Sequence, residues 1–158
     1  MSHTISELSV MDVELKSISA ADLSLVLEMM DAFYRDQQMR FNAEAATSAL
    51  GQMLADPARG GAYLVICNGA RAGYLFLTSC FSVEFHGEFM LLDELYLRPA
   101  FRRKGIGSVA VLFAERVCRE RGVRTLRLEV GRENAAAQSL YERMGFKPET
   151  RHLLTKLL

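Results

Sequence analysis

The clearest pattern along the chain is a helix that begins just after a basic loop containing two glycines. Apolar residues recur there at helical spacing and predict one buried stripe, formed by Ile106, Val109, Ala110, Phe113 and Val117. Charged pairs four residues apart lie on the other face of the predicted helix, Glu115 with Arg119 and Arg116 with Glu120. Gly122 follows and would end the helix, because glycine readily adopts the left-handed conformation found after helices.

Weaker patterns on both sides of this helix predict the remaining elements. Their order is a strand, two helices, three antiparallel strands, the helix just described, a strand, a helix and a last strand. The predicted strands are Val13–Ser17, Ala62–Cys67, Arg71–Phe81, Leu91–Leu97, Thr125–Val130 and Thr150–Leu158. The first two helices are expected to begin after the caps Ser19 and Asn42, and the last helix to span Asn134–Met144. The sequence therefore predicts an α/β fold built on one central sheet.

Two turn signals connect the three antiparallel strands. Asn68-Gly69 is typical of a tight hairpin, and a second turn is expected near His86-Gly87. Helical spacing in the last predicted helix would bury Ala137, Leu140, Tyr141 and Met144, with Gly145 at its end. On spacing alone, Tyr141 would be a packing residue.

The composition fits a single domain over residues 1–158. Hydrophobic residues make up 50% of the chain and charged residues 24%, which is enough for a core. The formal net charge is +0, which argues against binding nucleic acid or an acidic membrane through overall charge. No apolar run approaches the roughly 20 residues that span a bilayer, and the first residues lack a secretory pattern, so we expect a cytoplasmic protein.

The three cysteines do not suggest a metal site or a disulfide framework. Cys67, Cys80 and Cys118 are widely spaced and odd in number. We expect buried free thiols and no bound metal.

The basic loop, Arg102–Ser108, has the features of a phosphate-binding site. It follows the predicted strand Leu91–Leu97, and its glycines, Gly105 and Gly107, lead into the helix. Glycine allows close approach of a ligand to the backbone, and a helix start offers unpaired N–H groups and a positive dipole end. The sequence therefore predicts a seat for a pyrophosphate, flanked by cations.

Two other phosphate ligands fit the loop less well. Gly105 and Gly107, with Ala110, match a dinucleotide-binding fingerprint, and Glu129 follows at a suitable distance. In that fold, however, the glycines follow the strand almost directly, whereas residues 98–104 intervene here. A nucleotide-hydrolysing loop needs lysine after the glycine, and Lys104 precedes it.

The third reading, coenzyme A, rests on a family resemblance. Arg102-x-x-Gly105-x-Gly107 after Leu95-Tyr96-Leu97 resembles the acyl-CoA motif of the GNAT (Gcn5-related) N-acetyltransferase superfamily. The downstream segment Asn134-x-x-Ala137-x-x-Leu140-Tyr141-x-x-x-Gly145-Phe146 resembles that family's second motif. The two motifs together cover about a third of the chain, and the order of predicted elements extends the likeness over nearly all of it.

The resemblance implies a GNAT-like fold and transfer of an acetyl group from acetyl-CoA to an amine. The expected fold is a mixed, mostly antiparallel sheet with helices on both faces and central strands that splay apart to admit the pantetheine arm. The residues expected to bind the cofactor are Leu95, Tyr96, Leu97, Arg102, Arg103, Lys104, Gly105, Ile106, Gly107, Ser108 and Asn134. The side chains of the basic loop could equally be solvated, and Asn134 could simply cap its helix.

The resemblance also nominates catalytic residues. Tyr141 would be the general acid that protonates the departing thiolate. Asp93 and Glu94 are equal candidates for the general base. Asp93 occupies the position where polyamine-type members carry a glutamate that acts through water, and Glu94 matches the next acidic position of that pattern. Neighbouring strand residues point to opposite faces, so only one of these carboxylates should face the acceptor unless a bulge changes the phase.

The acceptor is expected to be a small molecule with a cationic amine, such as a polyamine, an amino acid or an aminoglycoside-like compound. Glu84 could bind its charge, and Tyr34 and Phe41 could line its pocket. A protein lysine or N-terminus is an alternative acceptor, and a non-catalytic acyl-CoA-binding domain is an alternative role. Homodimers are common in the family, and the apolar tail Leu153–Leu158 could serve an interface or the core.

Overall fold

The structure, a computed structural model, describes residues 11–158. The chain forms two compact units, one ending at Leu128 and the other spanning Glu129–Leu158. Among these described residues, the first unit contains a five-stranded sheet and three α-helices, and the second contains one α-helix. The assignment of residues 1–158 to a single domain stays a prediction.

The sheet of the first unit has five strands in the order of the sequence. Four antiparallel strands come first: β1 (Val13–Ser17), β2 (Gly60–Cys67), β3 (Ala70–Ser82) and β4 (Gly87–Leu97). The short β5 (Leu126–Leu128) pairs in parallel with Met90–Leu92 of β4. The sheet is therefore mixed and mostly antiparallel, as the sequence predicts.

Residues 11–158 contain four α-helices: α1 (Leu23–Asp36), α2 (Ala43–Ala55) and α3 (Ile106–Glu120) in the first unit and α4 (Ala135–Arg143) in the second. Their predicted caps are confirmed. Ser19 forms a capping box with Asp22 one short turn before α1, and the side chain of Asn42 accepts a hydrogen bond from the Ala45 N–H.

The predicted turns are confirmed by their backbone angles. Asn68 and Gly69 both have positive φ angles, 49° and 79°, as a two-residue hairpin turn of the tightest kind requires. The second turn spans residues 83–86, and the φ angles are 60° at its last residue, His86, and 138° at Gly87, where β4 begins. These two hairpins hold β2, β3 and β4 in a continuous meander.

Helices cover both faces of the sheet. Buried residues of α1, among them Val26 and Met29, pack with Tyr74 and Phe76 of β3 on one face. On the other face, Ile106 at the start of α3 packs with Val65 and its cluster neighbours on β2 and β3. A helix on each side of an open sheet matches the predicted fold class.

The buried face of α3 is rotated from the predicted stripe. Val109 is 37% exposed and Phe113 is only half-buried, so both predictions of burial were wrong. The positions that are buried instead include Val111 and Ala114. Apolar residues occur almost all around this helix, so spacing alone cannot select the face that packs closest. Both predicted charged pairs on α3 are confirmed, at 2.7 Å and 3.8 Å.

The last predicted strand, Thr150–Leu158, is wrong because these residues form no strand. The leucines of this tail come in adjacent pairs rather than at alternating positions, so they cannot form the single apolar face of a strand. All four are exposed, Leu153, Leu154, Leu157 and Leu158. The tail is therefore not part of the core.

Candidate active site

A β-bulge in β4 brings two carboxylates to the same side of the sheet. Phe76 of β3 pairs with Glu94 and the next residue, Leu77, pairs with Leu92, which leaves Asp93 without a partner on β3. In a regular strand Asp93 and Glu94 would point to opposite faces. Because of the bulge, both line one cavity. The sequence analysis expected only one of them to face the site unless a bulge changed the phase of the strand, and this bulge is that exception.

We call this cavity, of about 340 Å³, the carboxylate cavity. It lies between α1, α2 and the sheet face that carries Phe76. Its walls are mostly apolar, and α2 contributes the small side chains Ala45, Ala46 and Ala49. Tyr34 and Phe41, both expected to bind the acceptor, line it as well, with their rings 5.4 Å apart.

Two tyrosines hold Glu94 in place. The hydroxyl of Tyr34 donates to Glu94 Oε1 and that of Tyr74 donates to Glu94 Oε2, each at 2.8 Å. Burial raises the pKa of Glu94, while these two hydrogen bonds stabilise the carboxylate and oppose the shift. Burial and the neighbouring Glu94 carboxylate also raise the pKa of both tyrosines, so they remain proton donors.

Asp93 is the freer of the two carboxylates. Among residues 11–158 it has no hydrogen bond or ion pair, and it is exposed where it borders the cavity. Desolvation raises its pKa above the ordinary value for aspartate. The cavity thus contains one carboxylate fixed by phenols and one available to a ligand.

The backbone of the basic loop leaves the start of α3 open. Gly105 is the N-cap of α3, with a left-handed φ of 79° and no side-chain cap. A Cβ at Gly105 would meet no atom within 4 Å. The N–H groups of Ile106, Gly107 and Ser108 form the uncapped first turn, where a helix binds anions. This donor set fits a pyrophosphate.

The three cations of the loop differ in their surroundings. Arg102 is engaged within the protein, since its Nε donates to the Leu97 carbonyl at 2.8 Å and its terminal nitrogen pairs with Asp36 at 2.9 Å. Its guanidinium also lies over the ring of Tyr96, 5.5 Å from the centroid. Arg103 and Lys104 are exposed beside the helix start. A phosphate contact by the Arg102 side chain would compete with these bonds.

The edge of β4 beyond Leu92 has no strand partner on the β5 side within the described residues. The Arg98 N–H donates to the Ala72 carbonyl of β3, so the alternation of strand hydrogen bonds turns the backbone groups of Leu95 and Leu97 to the open edge. The Tyr96 side chain is buried in the core, 5% exposed, and by the same alternation its backbone groups face β3, so the predicted cofactor contact of Tyr96 receives no support from this geometry. The predicted splay of β4 from the next strand is confirmed as an open edge.

The second unit holds the other motif residues. Asn134 caps α4, with its Oδ1 accepting from the Ala137 N–H at 3.1 Å. Tyr141 is 9% exposed and forms an edge-on ring contact with Phe146. Burial raises the pKa of Tyr141 to about 12, so its hydroxyl stays protonated at neutral pH.

Glu84 lies apart from the carboxylate cavity. It is exposed in the hairpin that joins β3 to β4 and is not among the residues that line the cavity. Its proposed contact with the acceptor therefore receives no support from this geometry. Cys67 and Cys118 are buried free thiols as predicted, whereas the free Cys80 is only half-buried.

Sequence reasoning assigned no role to two polar residues of the site, Tyr74, which bonds to Glu94, and Arg40, which lines the cavity. Tyr74 is 0% exposed within an apolar strand, so its sequence context indicates only core packing. Its bond to Glu94 depends on the pairing of β3 with β4. Arg40 lies between α1 and α2 and lines the cavity without a hydrogen bond or ion pair to any described residue.

No helix within residues 11–158 is long and apolar enough to cross a membrane. No cluster of three or more potential metal-ligating side chains, of the His, Cys, Asp and Glu types, is found in that same part of the chain.

Curated relatives match part of the chain. The spermidine N(1)-acetyltransferase of Thermoplasma acidophilum is 40% identical over 58 residues, which are 37% of this chain and 36% of that protein. The streptothricin acetyltransferase of Streptomyces lavendulae is 42% identical over 57 residues, 36% of this chain and 30% of that one. The chain thus matches about a third of the length of these relatives.

Solved structures share the fold over nearly the whole chain. An integron cassette protein from the mobile metagenome of Cole Harbour Salt Marsh superposes with a TM-score of 0.81 at 28% identity, covering 91% of this chain and 90% of that chain. An aminoglycoside N-acetyltransferase in complex with CoA has a TM-score of 0.77 at 14% identity, over 94% of this chain and 96% of that one, which is a likeness of fold alone. The family model for acetyltransferases of the GNAT family matches residues 26–146, and the chain therefore belongs to that family.

Proposed function

We propose that this protein is an acetyl-CoA-dependent N-acetyltransferase that acts on a small-molecule amine. The observation that carries the proposal is the carboxylate cavity, where a bulge directs Asp93 and Glu94 into a mostly apolar space. The same strand, β4, has an open edge and leads into the uncapped helix start at Gly105. Family membership and relatives named as acetyltransferases support the same activity.

The cofactor would be held mainly by backbone groups. The N–H groups of Ile106, Gly107 and Ser108 would bind the pyrophosphate, with Arg103 and Lys104 adding positive charge. Backbone groups of Leu95 and Leu97 at the open edge of β4 would hydrogen-bond the pantetheine arm. Bound acetyl-CoA supplies an acetyl group activated as a thioester.

Asp93 is the better candidate for general base. An amine is protonated at neutral pH and must lose a proton before its lone pair can attack a carbonyl carbon. Asp93 has no competing hydrogen bond among the described residues, and its raised pKa makes it a stronger proton acceptor. Glu94, held by Tyr34 and Tyr74, would act as a fixed negative charge that attracts the ammonium.

Tyr141 is proposed as the general acid. A departing thiolate gains from a proton donor that is still protonated at the working pH. Its pKa of about 12 keeps the Tyr141 hydroxyl in that state. Asn134 is proposed to bind the pantetheine arm in addition to capping α4.

The test combines cofactor binding with turnover. Calorimetry should show acetyl-CoA binding, and a thiol-reactive dye should report release of CoA when amines from a broad panel are added. Binding without release across the panel would favour a non-catalytic acyl-CoA-binding domain. Absence of acetyl-CoA binding would contradict the proposal altogether.

A further inference from the structure

We propose that the acceptor is a small amphoteric amine, that is, one amino group, one carboxylate and an apolar body, as in an apolar amino acid. This inference rests on the proposed N-acetyltransferase function and narrows its acceptor to a chemical class. It follows from the charges, the walls and the size of the carboxylate cavity.

The charges that line the cavity are two anions and one cation. Asp93 and Glu94 are adjacent on the bulge of β4, and the only other charged residue lining this cavity in the described part of the chain is Arg40. Glu94 already accepts a hydrogen bond on each oxygen, from Tyr34 and from Tyr74. Glu94 keeps its negative charge, but the charged groups of the lining that have no partner among the described residues are one carboxylate, Asp93, and one guanidinium, Arg40.

Neither of these groups has a hydrogen bond or ion pair to another residue within 11–158. A zwitterionic ligand satisfies both at once, with its ammonium at Asp93 and its carboxylate at Arg40. Arginine suits the second role because its planar guanidinium binds a carboxylate through two parallel hydrogen bonds. The cavity is thus complementary to a molecule of two opposite charges.

A polyamine lacks this complementarity. Once its first ammonium is bound at Asp93 and Glu94, its further ammonium groups would meet either apolar wall or the like charge of Arg40. Burying a charge without a partner is unfavourable, and placing two like charges next to each other costs still more free energy. To bind a second ammonium, the cavity would need an anionic residue apart from Asp93 and Glu94, and its lining among the described residues contains none.

The walls and the size define the body of the acceptor. Phe41, Leu50 and Phe76 offer apolar surface, and the alanines of α2 leave room beside it. A volume of about 340 Å³ lies near the lower end of the usual range for small-molecule sites, roughly 300–1,000 Å³. This space suits a short aliphatic chain or one ring better than a multi-ring aminoglycoside.

The test uses pairs of acceptors that differ only in the carboxylate. Suitable pairs are L-leucine with isoamylamine, L-phenylalanine with phenethylamine, and aminocaproate with hexylamine, with spermidine as a polycation. The value of kcat/KM is measured for each through release of CoA. We expect at least one amino acid to exceed its paired amine and spermidine by on the order of 10- to 100-fold, the worth of a charge-assisted hydrogen-bonded contact.

Arg40→Gln should remove that preference, because KM for the amino acid should rise far more than KM for the paired amine. The control is Arg35→Gln, because Arg35 is an exposed arginine on α1 that pairs with Asp31 and does not line the cavity. The control variant should keep the preference of the unmodified protein. Arg40→Glu should reverse it in favour of spermidine.

The outcomes separate this inference from the proposed function. Turnover of the plain amines or spermidine at least as fast as the amino acids would overturn the inference and leave acetyl transfer intact. Absence of CoA release with every acceptor would count against the function, and calorimetry of the same pairs in the presence of CoA would then decide the inference. Binding of an amino acid that Arg40→Gln abolishes would support it, and binding unaffected by Arg40→Gln would overturn it.

Discussion

The basic loop and the carboxylate cavity recognise ligands in opposite ways. At the loop, the groups aimed at the ligand are backbone N–H groups at the start of α3, and Gly105 is valuable because it has no side chain. In the cavity, the groups are side chains gathered from α1, α2 and two strands. The first site depends on local backbone conformation and the second on how distant segments pair. The loop should therefore be sensitive to backbone strain, and the cavity to the loss of single polar atoms.

The largest effect is expected from Asp93→Asn in the cavity. The substitution keeps the shape of the side chain and removes its ability to accept a proton, so kcat should fall by roughly 10²- to 10⁴-fold while acetyl-CoA binding is unchanged. Steady-state kinetics and calorimetry measure the two properties. Asp31→Asn, at an exposed acid on α1 paired with Arg35, is the control and should keep full activity. Retention of kcat by Asp93→Asn would transfer the base role to Glu94.

A smaller effect is expected from Gly105→Ala in the basic loop. Gly105 and Gly69 share a φ of 79°, and neither would have an atom within 4 Å of an added Cβ. Gly105→Ala and the control Gly69→Ala should therefore lower the free energy of unfolding by a similar amount, about 1 kcal/mol. Acetyl-CoA affinity should fall several-fold only in Gly105→Ala, because the added methyl group occupies the space that a pyrophosphate would approach. Equal affinities in the two variants, measured by calorimetry, would place the cofactor elsewhere.

Tyr74→Phe sharpens the account of Glu94. Losing the Tyr74 hydroxyl removes one of two hydrogen bonds that stabilise the ionised carboxylate, so the pKa of Glu94 should rise. The acid limb of kcat/KM against pH should move to higher pH, by roughly one unit or less. Tyr63→Phe, at a half-buried tyrosine of β2 that contacts Phe113, is the control and should leave the pH profile in place. An unmoved limb in Tyr74→Phe would show that Glu94 does not influence the titration.

The smallest expected effect concerns the dependence of stability on pH. The folded pKa of Asp93 lies above its ordinary value, so its contribution to stability is fully present below the unfolded pKa and is lost as pH rises through the folded pKa. The asparagine in Asp93→Asn does not ionise, so the variant avoids the free-energy cost of desolvating a charged carboxylate. The variant should therefore be slightly more stable than the original protein at neutral pH, and the difference should vanish in acid. Urea unfolding at several pH values measures this gap, and a gap that widens in acid would contradict the stated shift.

The two regions also differ in how well the sequence predicts them. Helix caps such as Ser19 and Asn42, the Asn68-Gly69 turn and the glycines of the basic loop depend on residues close in sequence, and the structure confirms their conformations. The cavity depends on register. Only the pairing of β3 with β4 reveals that Asp93 is bulged and that Tyr74 reaches Glu94, a residue twenty positions away.

The errors have the same cause. Val109 is apolar and correctly spaced, but α3 buries other positions, among them Val111 and Ala114, and leaves Val109 exposed, a choice of face that spacing does not encode. The tail from Thr150 has strand-forming composition without an alternating pattern, and it pairs with no strand. Local propensity predicts an element, and only its tertiary partners determine which face is covered.

The bulge at Asp93 also shows which residue the sheet can do without. Leu92 and Glu94 face consecutive residues of β3, Leu77 and Phe76, so removing Asp93 would leave an unbroken run of partners and shift no other side chain to the opposite face. Nothing in the architecture calls for an extra residue at that point. A chain shortened there by one residue would keep every backbone pairing of the sheet and lose only the carboxylate that has no partner.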